Sequence, residues 1–193
     1  MANDLKTNRR ELFNVPNQLT AARLLLSIVV FVLIPFEQYL PALVVFLIAA
    51  STDWIDGFYA RRYGQVTKLG RVFDPFVDKI IICGAFIFLA AEPQSGIHAW
   101  MAVVVVGREM LVTALRGLIE QEGGDFSAKM AGKLKMVFQC VAVALSLYAL
   151  MYAPENPPDW LYWSLLISVW IAVLSTIYSG FGYLVVAAKY FRE

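Results

Sequence analysis

Cysteine occurs twice and histidine once in the 193 residues, which leaves no disulfide framework and no thiolate or imidazole set at metal-ligand spacing. Cys83 and Cys140 each lie inside an apolar run and read as small packing residues. Charge is also scarce. Only 16% of residues are charged, and 16 Lys and Arg against 15 Asp and Glu leave a formal net charge of +1. No basic soluble domain is there to track nucleic acid, so no nucleic-acid partner is expected. Internal repeats and low-complexity tracts are missing too, and with them the case for a fibrous or disordered chain. What is abundant is hydrocarbon: hydrophobic residues make up 60% of the chain, and the mean hydropathy is +0.64. That composition is too apolar for an ordinary soluble domain and predicts an integral membrane protein.

Six apolar stretches are long enough to cross a hydrocarbon core of ~30 Å, which takes about 20 helical residues. They run Asn17–Phe36, Leu40–Tyr63, Phe73–Ala91, Ile97–Ile119, Ala131–Ala153 and Trp160–Phe191. The expected fold is therefore all-α, with six transmembrane helices forming one membrane domain over residues 17–193. Residues 1–16 carry Lys6, Arg9, Arg10 and Glu11 and have no apolar core. They are expected to be a cytoplasmic or interfacial segment, with Leu5, Leu12 and Phe13 toward lipid, and not a cleavable signal.

Orientation follows from where the charges fall. The connections Glu37–Leu40, Glu92–Gly96 and Pro154–Asp159 hold Glu37, Glu92, Glu155 and Asp159 and no Lys or Arg. Nearly all basic residues sit at the termini, near 64–72 and near 120–130, or on the helix ends beside them. The positive-inside rule makes those regions, and both termini, cytoplasmic. Trp160, Tyr162 and Trp163 then fall where an aromatic belt meets the outer interface.

Against this background certain acids stand out. Asp53 and Asp56 lie on the second span at i, i+3, and Asp74 and Asp78 on the third at i, i+4, so each pair projects from one face of its helix. A short connection makes the two helices antiparallel neighbours, and the four carboxylates are expected to converge. Ionised, each close pair repels by roughly 4 kcal/mol at ~4 Å for an effective dielectric near ~20, so positive charge or bound protons must offset them. Oxygen-only donors suit hard ions such as Mg²⁺ or Mn²⁺ and argue against zinc. Asp53 is about 14 Å along the helix from Arg62 at ~1.5 Å per residue, which places the site in a polar cavity sunk below the cytoplasmic surface. Gly57, Ala60 and Gly70 clear side chains beside the acids, and Arg61 supplies a charge suited to phosphate. Together these residues are equipment for holding a pyrophosphate. Intramembrane carboxylates also mark ion pathways, so a divalent-cation transporter is the alternative class. The clustering of all four acids toward one side suits a one-sided cavity better than a pore.

A second set of charges is basic. Arg108 lies near the middle of the fourth span, and Arg116 is eight residues on, about 80° round the helix. Lys129, Lys133 and Lys135 mark the start of the fifth span. Helix ends on the cytoplasmic side are basic anyway, which accounts for Arg116, Lys129 and Lys133 but not for Arg108 at mid-span. Glu109 is a candidate charge partner, although adjacent residues on a helix point in different directions. Lys133 and Lys135 stand about 200° apart on a regular helix, so both reach one pocket only if the helix start is distorted, with Gly132 the place for it. Such a concentration of cations points to an anionic ligand, most simply a phosphate ester. Asn17, Thr20 and Arg23 are read either as lining the cavity or as anchoring the first helix, Thr67 and Lys68 as nucleotide contacts, and His98 as an interfacial residue.

The run Asp53-x-x-Asp56-Gly57-x-x-Ala60-Arg61, then eight residues, then Gly70-x-x-x-Asp74-x-x-x-Asp78, resembles the complete signature of the CDP-alcohol phosphatidyltransferases. The resemblance implies transfer of a phosphatidyl group from a CDP-linked lipid to an alcohol with release of CMP. It also implies two divalent ions on Asp53, Asp56, Asp74 and Asp78, with Asp78 as the base. It places the cytidine diphosphate along Asp53, Asp56, Gly57, Ala60, Arg61, Thr67, Gly70 and Asp74, and implies a homodimer in the inner cell membrane with its site open to the cytoplasm. Pro16-Asn17-x-Leu19-Thr20-x-x-Arg23, Arg108-Glu109-x-x-x-x-x-Leu115-Arg116 and Gly132-Lys133-x-Lys135 look like the members that use glycerol-3-phosphate. That likeness implies CDP-diacylglycerol as donor, glycerol-3-phosphate as acceptor at Arg108, Arg116, Lys133 and Lys135, and phosphatidylglycerophosphate as product. Members that make cardiolipin or use an inositol phosphate are the alternatives within the family.

Overall fold

The structure is a computed structural model. It describes residues 15–63, 68–121, 130–153 and 155–190, with side chains described over 18, 20–52, 76, 77, 79–119, 134–153 and 155–188. Among the described residues six helices follow one another and there is no strand: α1 Val15–Leu33, α2 Tyr39–Tyr63, α3 Lys68–Leu89, α4 Ala99–Gln121, α5 Met130–Leu150 and α6 Asp159–Tyr190. Each corresponds to one of the six expected stretches. The expected N-terminal interfacial segment lies outside the described residues.

Two boundaries differ from the sequence reading for identifiable reasons. α1 ends at Leu33, before Pro35, and closes in a Schellman turn. In that turn the Glu37 N–H donates to the Ile34 carbonyl at 2.9 Å and the Gln38 N–H to the Leu33 carbonyl at 3.0 Å. Glu37 takes the left-handed position with φ 57°. α3 starts at Lys68 instead of Phe73 and runs through Pro75, whose ring nitrogen has no proton to give the Arg71 carbonyl.

The chain forms two compact units, residues 1–84 and 85–193. In the first, α1 packs on α2. The buried face of α1 is Thr20, Arg23, Ser27, Val30 and Ile34, and that of α2 is Ala42, Phe46 and Ala49, both at steps of three and four. The Phe31 ring lies directly over Gly84, where an added Cβ would come within 2.1 Å of it, so α3 approaches α1 through a residue without a side chain.

In the second unit α6 packs against both α5 and α4. Its seam is not purely apolar. Gln139 Nε2 of α5 donates to Thr176 Oγ1 of α6 at 2.9 Å, and away from that seam Ser146 Oγ of α5 donates to the Ser95 carbonyl in the connection before α4 at 2.7 Å, both buried. Interhelical hydrogen bonds of this kind tie apolar helices together where the hydrophobic effect distinguishes poorly between partner and surroundings.

The outer faces are as apolar as the interior. Large exposed hydrophobic side chains occur on every helix, among them Leu25, Val44, Phe76, Val103, Val137 and Phe181. Among the described residues, α6 over Asp159–Ala188 is the one stretch both long and apolar enough to cross a membrane, with mean hydropathy 1.8. The apolar stretches of α1, α2, α3 and α5 are shorter, Thr20–Leu33, Tyr39–Thr52, Lys79–Leu89 and Leu134–Leu150.

Candidate functional site

The acidic constellation falls on two successive helices. Asp53, Asp56, Gly57, Ala60 and Arg61 are in the C-terminal half of α2, and Gly70, Asp74 and Asp78 in the N-terminal half of α3. Both helices are continuous through these positions, so the i, i+3 and i, i+4 spacings hold as helical register. The side chains of these residues, and Thr67 in the connection, lie outside the described residues. Oxygen-only donors spaced at one helical turn on each of two helices remain a donor set that fits hard divalent ions. Among the described residues, which do not include these side chains, no group of three or more His, Cys, Asp and Glu is placed to hold a metal.

Thr20 and Arg23 of α1 are buried, Arg23 to 2% exposure. Ser27 Oγ donates to the Arg23 carbonyl at 2.8 Å. Arg23 therefore faces the interior of its unit.

The basic constellation is resolved in detail within the second unit. Arg108 of α4 has only 9% of its side chain exposed, and Lys135 of α5 only 6%. Both converge on one carboxylate. Arg108 Nη1 donates to Glu109 Oε1 at 3.0 Å, and Lys135 Nζ bonds the same oxygen. The long arginine stem thus overcomes the divergence of adjacent helical positions. Two buried cations share one anion, and an ion cluster so desolvated is costly unless further groups complete it.

α6 supplies part of that completion. Ser179 Oγ accepts from Arg108 Nη2 at 2.5 Å, and the guanidinium carbon stands 5.3 Å from the centre of the Tyr183 ring, a cation–π distance. The Gln139–Thr176 pair lies one turn away on the same two helices, four residues beyond Lys135 and three before Ser179. One nitrogen has no partner among the described residues: the buried Arg108 Nε. A buried guanidinium nitrogen of this kind calls for an acceptor, which a water or an anionic oxygen can supply.

Of the sequence-predicted basic residues, the structure brings Arg108 and Lys135 together. Arg116 is exposed, two turns on along α4. The side chain of Lys133 lies outside the described residues, and α5 runs unbroken through Gly132 without the distortion that would turn Lys133 and Lys135 the same way. Ser179, Tyr183, Gln139 and Thr176 were not singled out from sequence. Their available signal was the spacing Thr176, Ser179, Tyr183, a polar stripe at steps of three and four along an otherwise oily helix.

Residues 13–178 match the family described as CDP-alcohol phosphatidyltransferase. The chain is 34% identical over 190 residues to the CDP-diacylglycerol–glycerol-3-phosphate 3-phosphatidyltransferase of Bacillus subtilis (strain 168), covering 89% of this chain and 94% of that one. It is 33% identical over 181 residues to the protein of the same name from Escherichia coli (strain K12), covering 89% and 93%. The Salmonella choleraesuis (strain SC-B67) protein of that name is 32% identical over 177 residues, with 89% and 93% covered.

Proposed function

The chain belongs to the CDP-alcohol phosphatidyltransferase family, and from that premise we propose that it transfers the phosphatidyl group of CDP-diacylglycerol to sn-glycerol-3-phosphate, forming phosphatidylglycerophosphate and CMP. Relatives covering nine-tenths of its length carry that activity in their names. The observation that carries the choice of an anionic acceptor is the buried Arg108–Glu109–Lys135 cluster, in which two cations meet at one carboxylate and the Arg108 Nε has no partner among the described residues. A neutral alcohol would offer that buried nitrogen no anionic oxygen.

Roles follow from the chemistry of each set. Asp53, Asp56, Asp74 and Asp78 would hold two Mg²⁺ or Mn²⁺ ions, which when bound supply positive charge to the pyrophosphate and to the departing CMP. Arg61 adds a fixed charge for the diphosphate, and Gly57, Ala60 and Gly70 let the nucleotide lie close to the helix backbone, with Thr67 a further contact. Arg108 and Lys135 take the acceptor phosphate, with Arg116 and Lys133 contributing to the field that draws it in. Asp78 accepts the proton from the acceptor hydroxyl as its oxygen attacks the phosphatidyl phosphorus. The bond from that phosphorus to the CMP oxygen breaks, and CMP leaves with the electron pair.

The setting we propose is a multi-pass inner-membrane protein with both termini and the site on the cytoplasmic side, acting as a homodimer, with residues 17–193 forming the membrane domain. All six helices have at least 19 residues, about 28 Å at ~1.5 Å per residue and so close to the ~30 Å hydrocarbon thickness. Their exposed hydrophobic faces suit lipid, and Trp160, Tyr162 and Trp163 are all more than half exposed at the start of α6, as an interfacial belt requires. A site at this boundary meets one substrate from the bilayer and the other from water.

The test is CMP release by the purified protein from CDP-diacylglycerol with Mg²⁺, across a panel of glycerol-3-phosphate, inositol phosphate, serine and phosphatidylglycerol. Release only with glycerol-3-phosphate is expected. Release with inositol phosphate or phosphatidylglycerol instead would reassign the acceptor, and no release with any, alongside metal uptake into vesicles, would replace catalysis by transport.

A further inference from the structure

We propose that Ser179, Gly180 and Tyr183 of α6 are a holder for Arg108, positioning residues that fix its guanidinium for the acceptor's anionic oxygen. The inference rests on the reading of Arg108 as an acceptor-phosphate group.

Three neighbouring positions on one helix are each shaped to a different part of that arginine. The Ser179 hydroxyl accepts from Nη2 at 2.5 Å. The Tyr183 ring stands 5.3 Å from the guanidinium carbon. Gly180 makes room for the stem: an added Cβ there would lie 3.2 Å from Arg108 Cγ, tight enough that the stem must shift. On α4 itself, Glu109 takes Nη1 at 3.0 Å. With Nη1, Nη2, the ring face and the stem all engaged, the planar fork has little freedom left, and the buried Nε is the nitrogen without a partner among the described residues. An arginine held this way meets its ligand without first losing rotamer freedom, so the holder acts on affinity for the acceptor and not on the bond-breaking step.

The experiment measures steady-state kinetics of the full-length protein, varying glycerol-3-phosphate and CDP-diacylglycerol separately, for Ser179→Ala, Gly180→Ala, Tyr183→Leu and Arg108→Ala. Thermal stability is recorded for each. The α6 variants are expected to raise KM for glycerol-3-phosphate by about five- to thirtyfold, with KM for CDP-diacylglycerol and kcat within about twofold of wild type. Tyr183→Phe and Ser179→Thr, which keep the ring face and the hydroxyl, are expected to recover most of the loss, and they decide the matter should a harsher variant fail to fold. A merely structural role moves stability and both KM values or kcat together, and that pattern overturns the holder. Unchanged acceptor KM in the α6 variants, with Arg108→Ala still raising it, also overturns the holder while leaving the acceptor site intact. Unchanged acceptor KM in Arg108→Ala defeats the underlying reading itself.

Discussion

Gly84 offers a sharp quantitative test of how the acid-bearing helix is seated. Replacing a mid-helix glycine by alanine ordinarily stabilises a helix by about 0.8–1 kcal/mol. Here the new Cβ would lie 2.1, 2.5 and 2.7 Å from the Cζ, Cε1 and Cε2 atoms of Phe31, and the ring must retreat until those distances reach at least 3.4 Å. Overpacking of this kind costs typically ~1–3 kcal/mol, so the sign of the substitution reverses: Gly84→Ala should destabilise by about 1 kcal/mol. For a chain of this size that is roughly 2–4 °C in Tm. Truncating the ring removes the obstacle. In a Phe31→Ala background, Gly84→Ala should instead stabilise by about 0.8–1 kcal/mol, and the change of sign is the signature of direct contact. The assay is thermal unfolding of the four purified proteins in one detergent, with turnover measured alongside, because Gly84 is six residues along α3 from Asp78. An equal effect of Gly84→Ala in both backgrounds would refute the packing argument.

Other outcomes follow from the site. Asp78→Asn keeps the shape of the side chain but cannot take the hydroxyl proton, and should lower kcat by about 10²–10⁴-fold while CDP-diacylglycerol still binds; retained kcat would remove Asp78 as the base. Chelation with EDTA should abolish CMP release, Mg²⁺ or Mn²⁺ should restore it, and activity that persists in EDTA would count against the proposed ions. Thr176→Val leaves the buried Gln139 amide without its acceptor and should cost about 0.6–2 kcal/mol of stability. The double variant with Gln139→Leu should recover most of that, and strictly additive losses would show that the two groups do not act as a pair.

The helices were legible because long apolar runs and charged connections leave few alternatives. The details that escaped concern local backbone cost: α3 accepts Pro75 in its interior and starts five residues before the expected Phe73, whereas α1 stops short at the turn before Pro35. Arg108 and Lys135 stood out because charge within an apolar span is expensive. Glu109 was weighed only as a partner for Arg108, and its bond to Lys135 depends on how α4 and α5 rotate. Ser179 is 71 residues from Arg108, and a serine, a glycine and a tyrosine in an oily helix look like ordinary packing until tertiary contact brings the guanidinium onto them. The aspartates were recognisable from type and spacing alone, since register on α2 and α3 is local and follows from the chain being helical.

The most direct measurement is an experimental structure of the protein with Mn²⁺, in which anomalous scattering locates the ions. The account predicts two peaks about 4 Å apart, ligated by carboxylates from both α2 and α3, with Asp78 among them. Peaks held by one helix alone, or Asp53, Asp56, Asp74 and Asp78 turned into separate surroundings with no ion between them, would contradict it.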